Sequence, residues 1–210
     1  MKRISIILRI GDTLKKWVEV ENMDAVVKRL IREIKKEGDQ DAFAELVDLY
    51  KDKVYQIAYR MTGNSYEAQD MAQEAFLRAY ANLESYDESR KFSTWLFRIT
   101  TNLCIDRLRK KKPDYSLDAE IQGTDGLTGY SQVAASETLP EDQVVTLEMQ
   151  EWVQRAISGL PEKYRAAVVL RYIEDLSITE ISDVLDLPEN TVKTHIHRGR
   201  EALRKRLGNA

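Results

Sequence analysis

The alternation of apolar and polar positions predicts helices along most of the chain, and it is sharpest near the C-terminal end. There Ile178, Ile181, Val184 and Leu185 fall on one side of a short segment, and Val192, Ile196, Gly199 and Leu203 continue that side along a longer one. Asp186-Leu187-Pro188 forms a tight break between them. Ser177 and Glu180 have the Ser-x-x-Glu spacing of a capping box before the first segment. Pro188 suits the opening turn of the second. The other side of that second segment carries Lys193, His197, Arg200 and Arg204, with Thr194 and Arg198 beside them. A short helix, a tight turn and a basic helix make a helix-turn-helix whose second member fits a DNA major groove.

The same periodicity runs upstream. Val26, Val27, Leu30, Ile31 and Ile34 give an amphipathic helix from Met23, which Gly38 ends. Phe43, Leu46, Val47, Tyr50, Val54, Ile57 and Ala58 define a second helix from Asp39 to Met61. Gly63-Asn64 breaks it, with Asn64 or Ser65 as the next N-cap. A third helix runs to about Leu83, with Ala68, Met71, Ala72, Ala75, Phe76 and Ala79 facing inward. Its other side gathers Asp70, Gln73, Glu74 and Leu77, since spacings of three and four share a helix side. A leucine set among polar groups suits a partner site better than a solvated face.

Glu84 to Phe92 reads as a polar loop holding Tyr86 and Phe92, and Ser93 as the cap of a fourth helix from Thr94 to about Arg109. In that helix Trp95, Ile99 and Leu103 are expected to point inward, while Arg98, Asn102, Asp106 and Arg109 line an outward face. Aromatics, an Asn and several Arg side by side suit stacking and edge hydrogen bonding to unpaired bases. Pro113 to Pro140 has weak periodicity and reads as an extended linker. Helices follow at Glu141 to Ile157 and Glu162 to Ile173, broken by Gly159-Leu160-Pro161. The expected fold is all-α: a helical bundle at 23–112, an acidic linker at 113–140 and a helix-turn-helix domain at 141–210. Residues 1–22 fit this plan poorly. Ile4 to Ile10 has strand character without a partner strand, and Glu19-Val20-Glu21 can be encoded by a purine-rich run like a bacterial ribosome-binding site. Translation is therefore expected to begin at Met23, with 1–22 an extension that is not native.

Charge changes this picture through its distribution. The net charge of −3 and pI of about 5.6 argue against a protein that simply coats DNA. Arg107, Arg109, Lys110, Lys111 and Lys112 nevertheless form a basic block, the C-terminal helix is basic, and no Lys or Arg stands between Pro113 and Gln150. Two basic surfaces flank an acidic spacer, and local charge sets phosphate attraction. The one cysteine, Cys104, excludes an intrachain disulfide and fits a reducing compartment. The run Ile4 to Leu8 is too short for a signal peptide, and no stretch is long enough to span a membrane, so a cytoplasmic protein without direct membrane insertion is expected.

From about Met23 to Leu207 the chain resembles an extracytoplasmic-function (ECF) sigma factor of bacterial RNA polymerase. Asp70-Met71-Ala72-Gln73-Glu74-Ala75-Phe76 is similar to the family's core-binding helix. Phe92-Ser93-Thr94-Trp95-Leu96-Phe97-Arg98-Ile99, with Asn102 and Asp106-Arg107, is similar to its promoter-melting and −10-recognition region. Leu160-Pro161-Glu162-Lys163-Tyr164-Arg165 and Asn190-Thr191-Val192-Lys193-Thr194 are similar to its −35-reading domain. The resemblance implies that Asp70, Gln73 and Glu74 dock on the coiled coil of the polymerase β′ subunit; Leu77, on the same helix side, is the fourth expected core-binding residue, and core polymerase, with its β and β′ subunits, is the expected partner. It implies that Tyr86, Phe92, Arg98, Asn102, Asp106 and Arg109 serve the −10 element, with a base flipped from the non-template strand. It implies that Lys193, Thr194, His197, Arg198 and Arg200 meet the −35 duplex, with Arg171 on the backbone. It further implies a linker threaded through the polymerase, a membrane-bound anti-sigma factor as partner and an envelope stress response.

Two departures from the family pattern bear on sequence preference. His195 stands where Arg is frequent, and Glu189-Asn190 replaces a small residue plus Gly. His195 and His197 have no evident third ligand, so no metal is expected, and no cofactor or catalytic residue either. A freestanding helix-turn-helix regulator is the competing reading, but a duplex-only repressor needs neither the patch around Leu77 nor the set near Asn102. An enzyme reading is weakest, since the sequence has neither a glycine-rich phosphate loop nor a triad-like cluster.

Overall fold

The computed structural model describes residues 23–111 and 141–208, and every regular element among them is helical. The extension at 1–22, with its segment of strand character at 4–10, and the linker at 113–140 lie outside the described residues. Helix α1 covers 23–37, α2 Gln40–Thr62, α3 Ser65–Ala81 and α4 Phe92–Lys111. Then come α5 (Glu141–Ser158), α6 (Glu162–Tyr172), α7 (Ile178–Leu185) and α8 (Glu189–Leu207).

Local chemistry sets the helix ends. Gly38 leaves α1 at φ +65°, and its N–H donates to the Ile34 carbonyl at 2.9 Å. The Asp39 carboxylate accepts from the N–H groups of Asp41 and Ala42, so Asp39 caps α2 from outside it. Gly63 closes α2 in the left-handed region at φ +72°. Asn64 caps α3 by accepting from Glu67 N–H. The capping box forms as expected, with Ser177 Oγ accepting from Glu180 N–H at 3.2 Å and the Glu180 carboxylate from Ser177 N–H at 2.9 Å.

In the N-terminal group, α2 is the centre, packed by α3 and α4. Ala68, Ala75 and Ala79 are fully buried on α3, and their small side chains let α3 approach α2 closely. Leu30, Ile31, Leu46, Val54, Ile57, Met61, Leu96 and Phe97 fill the space between the helices. The inward side of α4 includes Leu103, as expected, but is otherwise shifted from the expected one. Phe92, Thr94, Leu96, Phe97, Thr100, Thr101, Leu103 and Cys104 are the buried positions, and Trp95 and Ile99 are half-buried at its edge. The helix also begins at Phe92, so Ser93 lies inside its first turn rather than before it. In the C-terminal group, Ile181, Val184, Val192 and Ile196 pack against Val169 and Leu170 of α6. Gly199 lets α8 lie close on α6: a Cβ there would stand 2.5 Å from Val168 Cγ2 and 3.3 Å from the Tyr164 carbonyl oxygen.

The two groups share one apolar cluster. Helix α7 packs on α4, and α5 and α6 pack on α2. None of the helices among the described residues is long and apolar enough to cross a membrane.

Candidate nucleic-acid and polymerase interfaces

The first surface lies on α3. Asp70, Gln73 and Leu77 are exposed and Glu74 is half-buried. Leu77 stands 66% exposed, which is expensive for a leucine unless something covers it. Glu74 receives a hydrogen bond from Arg78 Nε at 2.7 Å. The apolar stripe extends beyond the residues foreseen: Tyr66 lies one turn before Asp70 and Tyr80 three residues after Leu77, and both are exposed. The Tyr80 ring meets Phe43 edge-on at 4.8 Å, which fixes its orientation. Their signal in the sequence was the same three-and-four spacing that joins Asp70 to Leu77.

The second surface is the outer face of α4. Asn102, Asp106 and Arg109 are exposed along it. Arg98 is half-buried and pairs with Asp186 at 3.1 Å. Tyr86 and Phe92 are not on this surface. They are 5% and 4% exposed and pack with Tyr50 and Trp95 in an aromatic cluster beneath the 86–91 loop. The Tyr86 hydroxyl donates to the Arg90 carbonyl, and Lys35 Nζ donates to the Tyr86 carbonyl and to Glu88, each at 3.3 Å. Burial is the main reason the phenol groups of Tyr50 and Tyr86 are each pushed up to about 12. The loop is thus braced from below, and its rim offers Asp87, Ser89, Arg90 and Lys91 to solvent.

The third surface is α8. Lys193, Thr194, His197, Arg198 and Arg200 are all exposed on it, on the side opposite buried Val192, Ile196 and Gly199. Thr194 Oγ1 donates back to the Asn190 carbonyl at 2.9 Å, and Lys193 lies 3.9 Å from Glu189. Arg198 Nη1 donates to the Tyr164 hydroxyl at 3.1 Å, so α6 orients a basic side chain of α8. His195 is half-buried with its ring edge-on to Tyr164, 5.3 Å between centroids. Burial, with Lys163 and Arg198 adding repulsion, holds its pKa below the ordinary histidine value, so its imidazole is neutral near pH 7. Arg171 is half-buried and donates to the Leu176 carbonyl at 2.7 Å, bracing the turn that leads into α7. Among the described residues, His, Cys, Asp and Glu nowhere gather in threes as metal ligands would.

Sequence reasoning missed the contacts between the two groups. Arg165, 8% exposed, donates to the Met61 carbonyl at the end of α2 and to the carbonyls of Ser158 and Leu160. Gln154 Nε2 reaches the carbonyls of Tyr59 and Arg60 at 3.3 and 3.4 Å. No local pattern signals such contacts, because their partners lie more than ninety residues away in the chain.

A small helical bundle and a helix-turn-helix, each with an exposed polar or basic face, define a DNA-binding protein of the transcription machinery. The family described as Sigma-70 region 2 matches residues 46–113, and Sigma-70, region 4 matches residues 150–203. The chain belongs to the ECF sigma factors of bacterial RNA polymerase. It is 62% identical over 185 residues to the ECF RNA polymerase sigma factor SigW of Bacillus subtilis, covering 88% of this chain and 98% of that one. Among solved structures, its fold is similar to CnrH in complex with the cytosolic domain of CnrY, with a TM-score of 0.63 and 23% identity over 89% of this chain and 97% of that one. It is also similar to the sigma factor RpoE in complex with the anti-sigma factor NepR from Bartonella quintana, with a TM-score of 0.57 and 18% identity over 79% and 96%.

Proposed function

We propose that the chain is a dissociable initiation factor. It binds core RNA polymerase, selects promoters by their −10 and −35 elements and helps open the duplex, while the polymerase supplies the chemistry. The observation that carries this reading is the coexistence of two unlike surfaces on one chain. An exposed leucine ringed by Asp70, Gln73 and Glu74 suits a protein partner, and an exposed basic helix face suits duplex DNA. A freestanding regulator would have no use for the first.

In this reading residues 23–112 work as the polymerase and −10 domain, and 141–210 as the −35 domain, with 113–140 as the acidic connection threaded through the polymerase. Asn102, Asp106 and Arg109 face the melted strand, and Arg98 joins them once released from Asp186. Tyr86 and Phe92 act from beneath, by holding the rim of the loop in shape for a flipped base; flipping costs a few kcal/mol, which contacts to the extruded base offset. On α8, Lys193, Thr194, His197, Arg198 and Arg200 contact the −35 duplex, and Arg171 lies toward its backbone. The protein works in the cytoplasm, held by a membrane-bound anti-sigma factor until envelope stress releases it.

Size-exclusion chromatography of the purified chain with core polymerase tests the reading. Co-elution with core at one-to-one stoichiometry is expected. A stable homodimer that binds duplex DNA and ignores core would make the chain a freestanding regulator.

A further inference from the structure

Tyr164, in the first turn of α6, meets α8 through its hydroxyl, its ring and its carbonyl. The hydroxyl accepts a hydrogen bond from Arg198 Nη1 at 3.1 Å, and the ring meets the His195 ring edge-on with 5.3 Å between centroids. The carbonyl oxygen would stand 3.3 Å from a Cβ on Gly199. Lys163 Nζ lies 5.2 Å from the centroid of the Tyr164 ring. The close crossing, the edge contact and the cation on the ring leave it little freedom, so the hydroxyl is a fixed point for Arg198. Arg198 differs from its basic neighbours in what holds it. Lys193 lies 3.9 Å from Glu189 and Arg204 3.2 Å from Glu201, and each carboxylate offsets part of the charge beside it. Arg198 is held instead by a hydroxyl, which leaves its positive charge undiminished.

The same hydrogen bond decides which edge of the guanidinium is presented. The group is planar, so with Nη1 turned to Tyr164 the edge formed by Nε and Nη2 lies on the side away from the hydroxyl. That edge is a parallel pair of donors, which matches N7 and O6 of guanine in a major groove. We propose that Tyr164 is a specificity-determining positioning residue. It touches no DNA itself; its hydroxyl turns Arg198 so that the Nε and Nη2 edge reads one guanine of the −35 duplex. The inference rests on the reading of α8 as the −35 helix. Without the hydroxyl, Arg198 keeps its charge but is free to turn to the nearest phosphate, a contact that holds every sequence alike.

The test uses holoenzyme assembled from core polymerase and the full chain, on promoter fragments randomised across the −35 element. Sequencing of bound and unbound fragments gives the base preference at each position, and thermal melts of each free chain report its fold. The wild type should prefer guanine at one position, and Arg198→Ala should abolish the preference there alone. Arg198→Lys keeps the charge but lacks the fork, and should lose the same preference. Tyr164→Phe keeps the ring against His195 and removes the hydroxyl. It should cut that preference about tenfold, within the range a bidentate base contact supplies, and leave the other positions and the salt dependence of binding unchanged. In an Arg198→Ala background it should change nothing further. Should Tyr164→Phe melt lower than the wild type, this coupling still decides, because a loss of fold acts equally in both backgrounds. An unchanged preference in Tyr164→Phe, or a loss spread evenly over all sequences, would overturn the inference. So would a further loss from Tyr164→Phe once Arg198 is alanine. A wild-type holoenzyme with no preference anywhere in the randomised window would overturn the −35 reading itself.

Discussion

Gly199 is where α8 crosses α6, and Gly199→Ala tests whether that crossing sets the position of the basic helix. The added Cβ would lie 2.5 Å from Val168 Cγ2 and 3.3 Å from the Tyr164 carbonyl oxygen. Carbon–carbon contact is comfortable at about 3.5–4.0 Å, so roughly 1 Å of separation is missing. Val168 is 3% exposed and β-branched, so its side chain cannot easily rotate aside, and the carbonyl belongs to helix backbone. Overpacking of this kind costs about 1–3 kcal/mol. The better helix propensity of Ala returns about 1 kcal/mol. The net expectation is a loss of about 0–2 kcal/mol, or a few degrees in Tm at about 2–4 °C per kcal/mol for a chain of this size. Because α8 must move away from Tyr164, the Arg198–Tyr164 hydrogen bond is strained as well, and −35 duplex affinity should fall although no DNA-facing side chain has changed. Urea and thermal unfolding of Gly199→Ala, Val168→Ala and the double variant decide the matter. The double variant should be less destabilised than the sum of the singles, by about 1 kcal/mol. A Gly199→Ala protein more stable than the wild type, or strict additivity with Val168→Ala, would refute the close-crossing argument.

Leu77→Ala should weaken core-polymerase binding by about 2 kcal/mol through faster dissociation, with unchanged thermal melts, because Leu77 is 66% exposed; surface-immobilised core reads both rates. Glu74→Lys should slow association instead and make it less sensitive to salt, measured on the same surface. Lys193→Ala should weaken −35 duplex binding, by about 1–3 kcal/mol and with sequence dependence if it reads a base; Asn102→Ala should spare the duplex and reduce open-complex formation, measured by permanganate footprinting. Glu174 is held up to about 7, first by burial, with Lys53 opposing. The unfolded chain releases this proton near 4.5, so the stabilising contribution is complete below that pH and is lost as pH rises through about 7. Glu174→Gln should flatten the fall of the urea midpoint between these values, and an unchanged slope would show that another group carries it.

Legibility followed the range of the interactions. The Ser177–Glu180 box, the Gly38 and Gly63 ends and the apolar side of α7 and α8 are set within a turn or two, so periodicity and cap chemistry reveal them. Leu77 was legible because a leucine among Asp70, Gln73 and Glu74 has no intramolecular reason to be there. Tyr66 and Tyr80 were not, since a tyrosine at a helix edge is as often packed as exposed. On α4 Leu103 is inward as expected, but Trp95 and Ile99 stand at the edge, because Trp95-Leu96-Phe97 offers an apolar residue to either side and only packing against α2 selects Leu96 and Phe97. Tyr86 and Phe92 read as surface aromatics in a polar loop, yet their burial depends on Tyr50 and Lys35, which arrive from other helices. Nothing in the local pattern marks Arg165 or Gln154 as contacts between the two groups. Their partners are backbone carbonyls of α2, and a carbonyl has no signature in the sequence.

Run-off transcription with core polymerase, with and without the chain, tests the central claim most directly. The template is a promoter fragment that carries −35 and −10 elements read by an ECF sigma factor. A transcript with a single start site downstream of the −10 element should appear only when the chain is added, and should vanish with Leu77→Ala at limiting concentration. Transcription that is unchanged by the chain, while the chain still shifts the duplex fragment on its own, would contradict the account.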